Sequence, residues 1–178
     1  HYLEWKDPYP LEASDIDDKP NSQQVMIAGL FSLKNFLDLY QNFTVFEPEG
    51  GKTIKKIARY QQFRAVQKSL TRLKSRGSRK ERGGIIWHTQ GSGKSLTMVF
   101  LTLKIRRDPD LRGYKLVFIT DRTQLDGQLT GTFKNTQGET VHNANSVKHL
   151  KELLQRDASD IITAMVQKFQ ESADEYEF

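Results

Sequence analysis

The stretch "IIWHTQGSGKSLTM", residues 85–98, decides how this chain is read. Its apolar start predicts a short strand at Ile85–Trp87. A glycine loop follows, and then a predicted helix from about Lys94 to Arg107, stopped by "DPD". Strand, loop and helix together are the context in which G-S-G-K-S forms a phosphate-binding loop. Gly91 and Gly93 let backbone amides turn inward, and the helix N-terminus adds its positive end. The segment Gln90, Gly91, Ser92, Gly93, Lys94, Ser95 and Leu96 is therefore the candidate cradle for nucleotide phosphates. Lys94 is expected to reach the β- and γ-phosphates and the Ser95 hydroxyl to ligate Mg²⁺. His88 stands where the common pattern has glycine, but that position only opens the turn, and the phosphate-facing amides come later.

Beyond the loop the alternation continues. "KLVFIT" (115–120) and "DIITAMV" (160–166) lack polar alternation, which predicts strands buried on both faces. Between them lie a predicted helix near 123–133, a short strand in "ETVHNA" (139–144), and a helix from Ser146 to about Arg156, with Ser146 as its cap. Such alternation means an α/β fold with a parallel sheet and helices on both faces.

Before the loop the pattern is helical. Residues 22–40 read as one helix burying Met26, Leu30, Leu33 and Leu37. Residues 54–75 read as another, with Phe63, Val66, Leu70 and Leu73 on one face. A loop is predicted at 47–52 and a mobile basic loop at 75–84. The first 21 residues, with Pro8, Pro10 and Pro20, read as an extended lead-in.

The 178 residues suffice for one domain with a proper core, and 37% hydrophobic with 28% charged residues suits a soluble protein. No apolar run approaches the roughly 20 residues that span a membrane, and the N-terminus does not resemble a signal peptide. With no cysteine there are no disulfides and no thiolate zinc site. A cytoplasmic location is expected. The net charge of +5 is unevenly spread: residues 52–82 carry twelve bases and one acid, Glu81. That block invites a polyanion, with nucleic acid the usual one, although a solvated helix face and loop would give the same composition.

Three further stretches narrow the class. In "RYQQFRAV" (59–66), Gln62 resembles the adenine-reading Q-motif glutamine of superfamily 2 helicases, with Gln61 as the alternative. "VFITDRTQLDGQL" (117–129) resembles motif Ia, which implies phosphate contacts from Thr120, Arg122 and Gln128. "IITAMVQKF" (161–169) resembles the approach to motif Ib, with Thr163, Gln167 and Lys168 as its polar members. Asp121 ends an apolar strand as a Walker B aspartate would. It lies 27 residues after Lys94 and on the next strand, too early for the acidic box of that superfamily.

Taken together, these stretches resemble the R subunit of type I restriction enzymes, and "WHTQGSGKSLTM" is the most specific of them. "HYLEWK" and "NFTVFEP…KKIARYQQ" resemble the segment that joins nuclease and motor in that subunit. The resemblance implies a P-loop RecA-like fold covering the first half of motor lobe 1. Residues 1–53 would be a linker and helical segment following a nuclease domain absent from this chain, and 54–178 the partial ATPase. It implies ATP and Mg²⁺ as ligands, and double-stranded DNA with modification and specificity subunits as partners. The activity implied is ATP-driven DNA translocation with endonuclease cleavage. Another superfamily 2 DNA or RNA helicase, or a non-catalytic ATP- or DNA-binding module, are the alternatives. No DEAD/DEAH-type box is present, so the 178-residue chain is expected to be inactive on its own. Glu4 and Lys6 have the E-x-K spacing of a nuclease core without a preceding aspartate, and are expected to be a chance match.

Overall fold

The computed structural model describes residues 4–75, 77–120, 133 and 141–166. It divides into two compact units, one from residues up to 46 and 54–101, the other from 47–53 and from 102 onward.

In the first unit the lead-in is extended apart from a 3-10 turn at Ala13–Asp15. Two helices then stand where one was predicted, α1 (Ser22–Leu30) and α2 (Leu33–Asn42). Asn21 caps α1, its side-chain oxygen accepting from the Gln23 and Gln24 amides, each at 3.0 Å. The break at Phe31–Ser32 overturns the predicted buried face, because Leu33 is 74% and Leu37 47% exposed. A polar position turns inward instead: Asn35 Nδ2 donates to the carbonyls of Tyr9 and Gly29 at 2.5 and 2.7 Å. Unpaired carbonyls are costly to bury, so these bonds outweigh the apolar spacing.

Strands β1 (Thr44–Glu49) and β2 (Lys52–Ile57) form a two-stranded sheet. Gly50 and Gly51 connect them with φ of 59° and 77°, the left-handed conformation of a tight hairpin turn. The predicted loop at 47–52 is therefore mostly strand, and so are residues 54–57, assigned above to a helix. The helix, α3, spans Tyr60–Leu73 and buries Phe63, Val66 and Leu70 as its periodicity predicts. The basic loop contains a short helix, α4 (Arg79–Arg82). The Ser78 hydroxyl accepts from the Glu81 amide and the Glu81 carboxylate from the Ser78 amide. Helix α5 spans Lys94–Arg107, the predicted bounds. Phe43 gathers the aromatic core, its ring 4.8 Å from Phe63 and 5.5 Å from Phe100.

Ile85–Trp87 is not a strand. It pairs with no strand among the described residues, leaving Ile85 94% and Trp87 88% exposed. Strand propensity alone does not make a ladder, because backbone N–H and C=O groups need a neighbour.

The second unit holds a parallel sheet of β3 (Leu116–Thr120), β4 (Val141–Asn143) and β5 (Ile161–Met165), in the order β3-β5-β4. The central strand β5 buries Ile161 to Ala164, as expected. β3 lies at the edge of the described sheet with Val117 36% and Ile119 43% exposed, so it is not buried on both faces. Helix α6 (Val147–Gln155) is capped by the Ser146 hydroxyl, which accepts from the His149 amide at 3.1 Å. It lays Leu150 and Leu153 on Ala144, Ile162 and Ala164. The helix predicted near 123–133 lies outside the described residues except for Phe133, which is buried with its ring 5.1 Å from Phe118. Parallel strands with intervening helix bear out the RecA-like α/β reading.

Candidate nucleotide-binding site

The loop before α5 has the backbone its sequence demands. Gly91 and Gly93 take φ of 74° and 82°, where residues with a Cβ are strained. The first hydrogen bond of α5 runs from the Thr97 amide to the Gly93 carbonyl, at 3.1 Å. The amides of Lys94, Ser95 and Leu96 precede it and have no partner within the helix, which is what makes a helix N-terminus receptive to anions.

Two carbonyls organise the loop. Thr89 O accepts from the Ser92 amide at 3.3 Å, the Ser92 hydroxyl at 2.6 Å and Lys94 Nζ at 3.1 Å. The exposed Lys94 ammonium thus folds back over its own loop, one bond away from release toward a phosphate. Gly93 O accepts from the Thr97 amide, the Thr97 hydroxyl at 3.2 Å and Gln62 Nε2 at 2.9 Å. Thr89 and Thr97 were not singled out from sequence. Their polar contributions are a carbonyl and a hydroxyl that only the folded turn brings to bear.

Gln62 is 3% exposed and joins α3 to the loop. Its Oε1 accepts from the Arg59 amide at 2.8 Å while Nε2 binds Gly93. A Cβ at Gly93 would stand 2.6 Å from that nitrogen, so this glycine is required twice, by its backbone and by its neighbour. An amide has two lone pairs on oxygen and two hydrogens on nitrogen, so each end of Gln62 retains one bonding position. Gln61 beside it is exposed and, with Tyr60, Arg64 and His88, borders a cavity of about 650 Å³. Gln90 is exposed at the tip of the loop, and Ser95 and Leu96 are half-buried in the first turn of α5.

The other predicted site lies in the second unit. Thr120 ends β3 opposite Met165 of β5 in parallel register. Both chains therefore leave the same carboxyl edge of the sheet, where open α/β sheets bind ligands. The Thr120 hydroxyl is buried without a hydrogen-bond partner among the described residues, a polar atom left over by the part of the fold described. Thr163 lies deeper: it is fully buried, opposite Phe118, and accepts from Asn143 Nδ2 at 3.2 Å. Arg122, Gln128, Gln167 and Lys168 lie outside the described residues. Among the described residues no group of three or more His, Cys, Asp or Glu side chains could hold a metal ion, and no helix is long and apolar enough to cross a membrane. The E-x-K pair is a surface ion pair, Lys6 Nζ to Glu4 at 3.2 Å. Hydrogen bonds from Ser22 and then Lys6 hold the Glu4 carboxyl below its ordinary pKa.

Comparison with known proteins agrees with this geometry. Residues 61–178 match the model of the SWI2/SNF2 ATPase family. Over 164 residues, 87% of the chain, it is 37% identical to the type I restriction enzyme HindI endonuclease subunit of Haemophilus influenzae. Over 161 residues it is 35% identical to the putative type I restriction enzyme MjaIXP endonuclease subunit of Methanocaldococcus jannaschii. A third relative is the type I restriction enzyme SsaAORF53P endonuclease subunit of Staphylococcus saprophyticus, 32% identical over 48% of the chain and 9% of that protein. The chain spans 15% of the length of the first two relatives.

Proposed function

Because this chain belongs to the SWI2/SNF2 ATPase family, we propose that it forms the nucleotide-binding part of a type I restriction enzyme R subunit, an ATP-driven translocase on double-stranded DNA with an attached endonuclease. The observation that carries this is the loop itself: two glycines at positive φ in front of a helix whose first amides are unpaired, with Lys94 folded over them. The residues fit Mg-ATP. The amides of Gln90 to Leu96 would hold phosphate oxygens, and Lys94 would exchange the Thr89 carbonyl for the β- and γ-phosphates. The Ser95 hydroxyl would ligate Mg²⁺, which when bound neutralises charge developing on the transferred phosphoryl group. The remaining bonding positions of the Gln62 amide would read adenine N6 and N7.

The polar segments leaving the carboxyl edge of β3 and β5 would hold DNA by its phosphates, through Thr120, Arg122, Gln128, Gln167 and Lys168. Thr163 belongs to the same predicted set but would act from beneath, since it is sealed from solvent. Modification and specificity subunits would be the protein partners, in the cytoplasm. The test is Lys94→Ala in the full-length protein. ATP turnover and translocation along duplex DNA should be lost while DNA binding by the assembled complex survives. An unchanged ATPase rate would refute the assignment. Stimulation by RNA rather than duplex DNA would favour an RNA helicase.

A further inference from the structure

The lead-in before α1 is anchored to the turn of α3 that carries Gln62. Trp5 is 7% exposed, its ring 5.8 Å from Phe63 and 6.3 Å from Tyr60. Its indole N–H donates to the Asp7 carbonyl at 2.7 Å, so the buried ring has its polar atom satisfied. Asp7 pairs with Arg64 at 3.4 Å, and the Arg64 guanidinium lies 3.8 Å from the centre of the Tyr9 ring. The Tyr9 carbonyl is held by Asn35 of α2. Gly29 of α1 leaves the room this needs, since a Cβ there would collide with the Asp7 carbonyl and stand 2.6 Å from Trp5 Nε1.

Three of the residues gripped, Tyr60, Phe63 and Arg64, flank Gln62 within one helical turn, and Gln62 in turn holds Gly93 of the nucleotide loop. We propose that residues 5–9 form a clasp that sets α3, and with it Gln62, against the nucleotide loop, so that the lead-in and the nucleotide site are energetically coupled. Trp5, Asp7 and Arg64 are then positioning residues for nucleotide binding, acting through α3 and Gln62. By linkage the coupling is reciprocal: nucleotide binding must alter the clasp as much as the clasp alters binding. This inference rests on the nucleotide reading of the loop.

Residues 1–178 contain two tryptophans, so in a polypeptide of those residues Trp87→Phe leaves Trp5 as the only indole emitter. Mg-ATP added to this variant should change Trp5 emission along the same saturation curve as binding followed by equilibrium dialysis. With Gln62→Ala added, binding should persist at higher ATP while the Trp5 response disappears. Asp7→Asn should weaken binding about threefold, the scale of a partly exposed ion pair, and Arg64→Gln should add little to it, because the two share one interaction. With Asp7 intact, Arg64→Lys should weaken binding less than Arg64→Gln does, because the cation that faces Asp7 is kept. Binding that depends on Lys94 with Trp5 emission unchanged at saturation would overturn the clasp alone. A chain that binds no ATP, or binds it equally after Lys94→Ala, would overturn the nucleotide reading and the clasp with it.

Discussion

Gly93 concentrates three constraints in one residue. Its φ of 82° excludes an unstrained side chain, its carbonyl takes three donors, and Gln62 occupies the space a methyl would fill. Gly93→Ala is therefore expected to cost more than Gly91→Ala, because Gly91 shares the positive φ but has nothing within 4 Å of a built Cβ. Backbone strain alone is worth about 1–2 kcal/mol, so Gly91→Ala should weaken Mg-ATP binding by no more than about thirtyfold. Gly93→Ala should weaken it well beyond that, as read by titration calorimetry. Equal effects would mean that Gln62 yields freely. The positive φ of Gly91 and Gly93 was legible in the sequence, because a turn of that kind at that spacing needs glycine; the roles proposed for Lys94 and Ser95 rest on the same spacing. The Thr89 carbonyl was not, since any residue supplies one and only the turn decides which converges on the lysine.

Elements were legible where one periodic signal ran without competition. α5 and α6 came out at or near their predicted ends because a glycine loop or a capping serine starts each, and "DPD" stops α5. The 22–40 segment failed because the apolar spacing of a single helix competed with the inward turn of Asn35. The Gly50-Gly51 hairpin was hidden because charged residues interrupt both strands, so no regular alternation marked them. Gly29 has the same origin: within a helix pattern it looks like a weak spot, but it makes room for Asp7 and Trp5. Gly29→Ala should raise helix propensity by about 1 kcal/mol yet lower the melting temperature, since overpacking against backbone costs about 1–3 kcal/mol. A higher melting temperature would mean that the lead-in contributes nothing to stability. α4 makes a pH prediction. The Ser78 amide and hydroxyl hold the Glu81 carboxyl below its ordinary 4.5. A depressed folded pKa adds stability above the unfolded value that is lost as pH falls. Amide exchange in residues 79–83 should therefore quicken as pH drops below about 4.5, after correction for intrinsic rates; Glu81→Gln should remove the dependence, whereas Ser78→Ala, which keeps the backbone amide that is the larger cause, should only reduce it.

At the scale of the whole molecule, charge and apolar surface are distributed apart from the packed cores. Leu33, Tyr40, Ile85 and Trp87 are each more than two-thirds exposed, and of these Leu33 had been expected on a buried helix face. The charge was legible, being a count, but its placement was not. Arg79, Lys80 and Arg82 stand exposed on α4, and Lys68, Arg72 and Lys74 are exposed on or at the end of α3, within the block of twelve bases and one acid. If this surface meets duplex DNA, each phosphate neutralised releases condensed counterions, and the logarithm of affinity falls by about 0.9 per contact per decade of salt. Replacing Arg79 and Lys80 by glutamine should therefore flatten the salt slope of duplex binding by about two units. Affinity should fall uniformly across DNA sequences, because phosphate contacts position without specifying. Arg72→Gln should have a smaller effect on the slope, since its Nε is already engaged by the Glu81 carbonyl at 3.2 Å. Binding isotherms between about 50 and 200 mM salt cover the range in which such contacts change affinity most visibly. A slope unchanged from the parent would assign the block to a solvated surface and leave the carboxyl edge of β3 and β5 to hold DNA by itself.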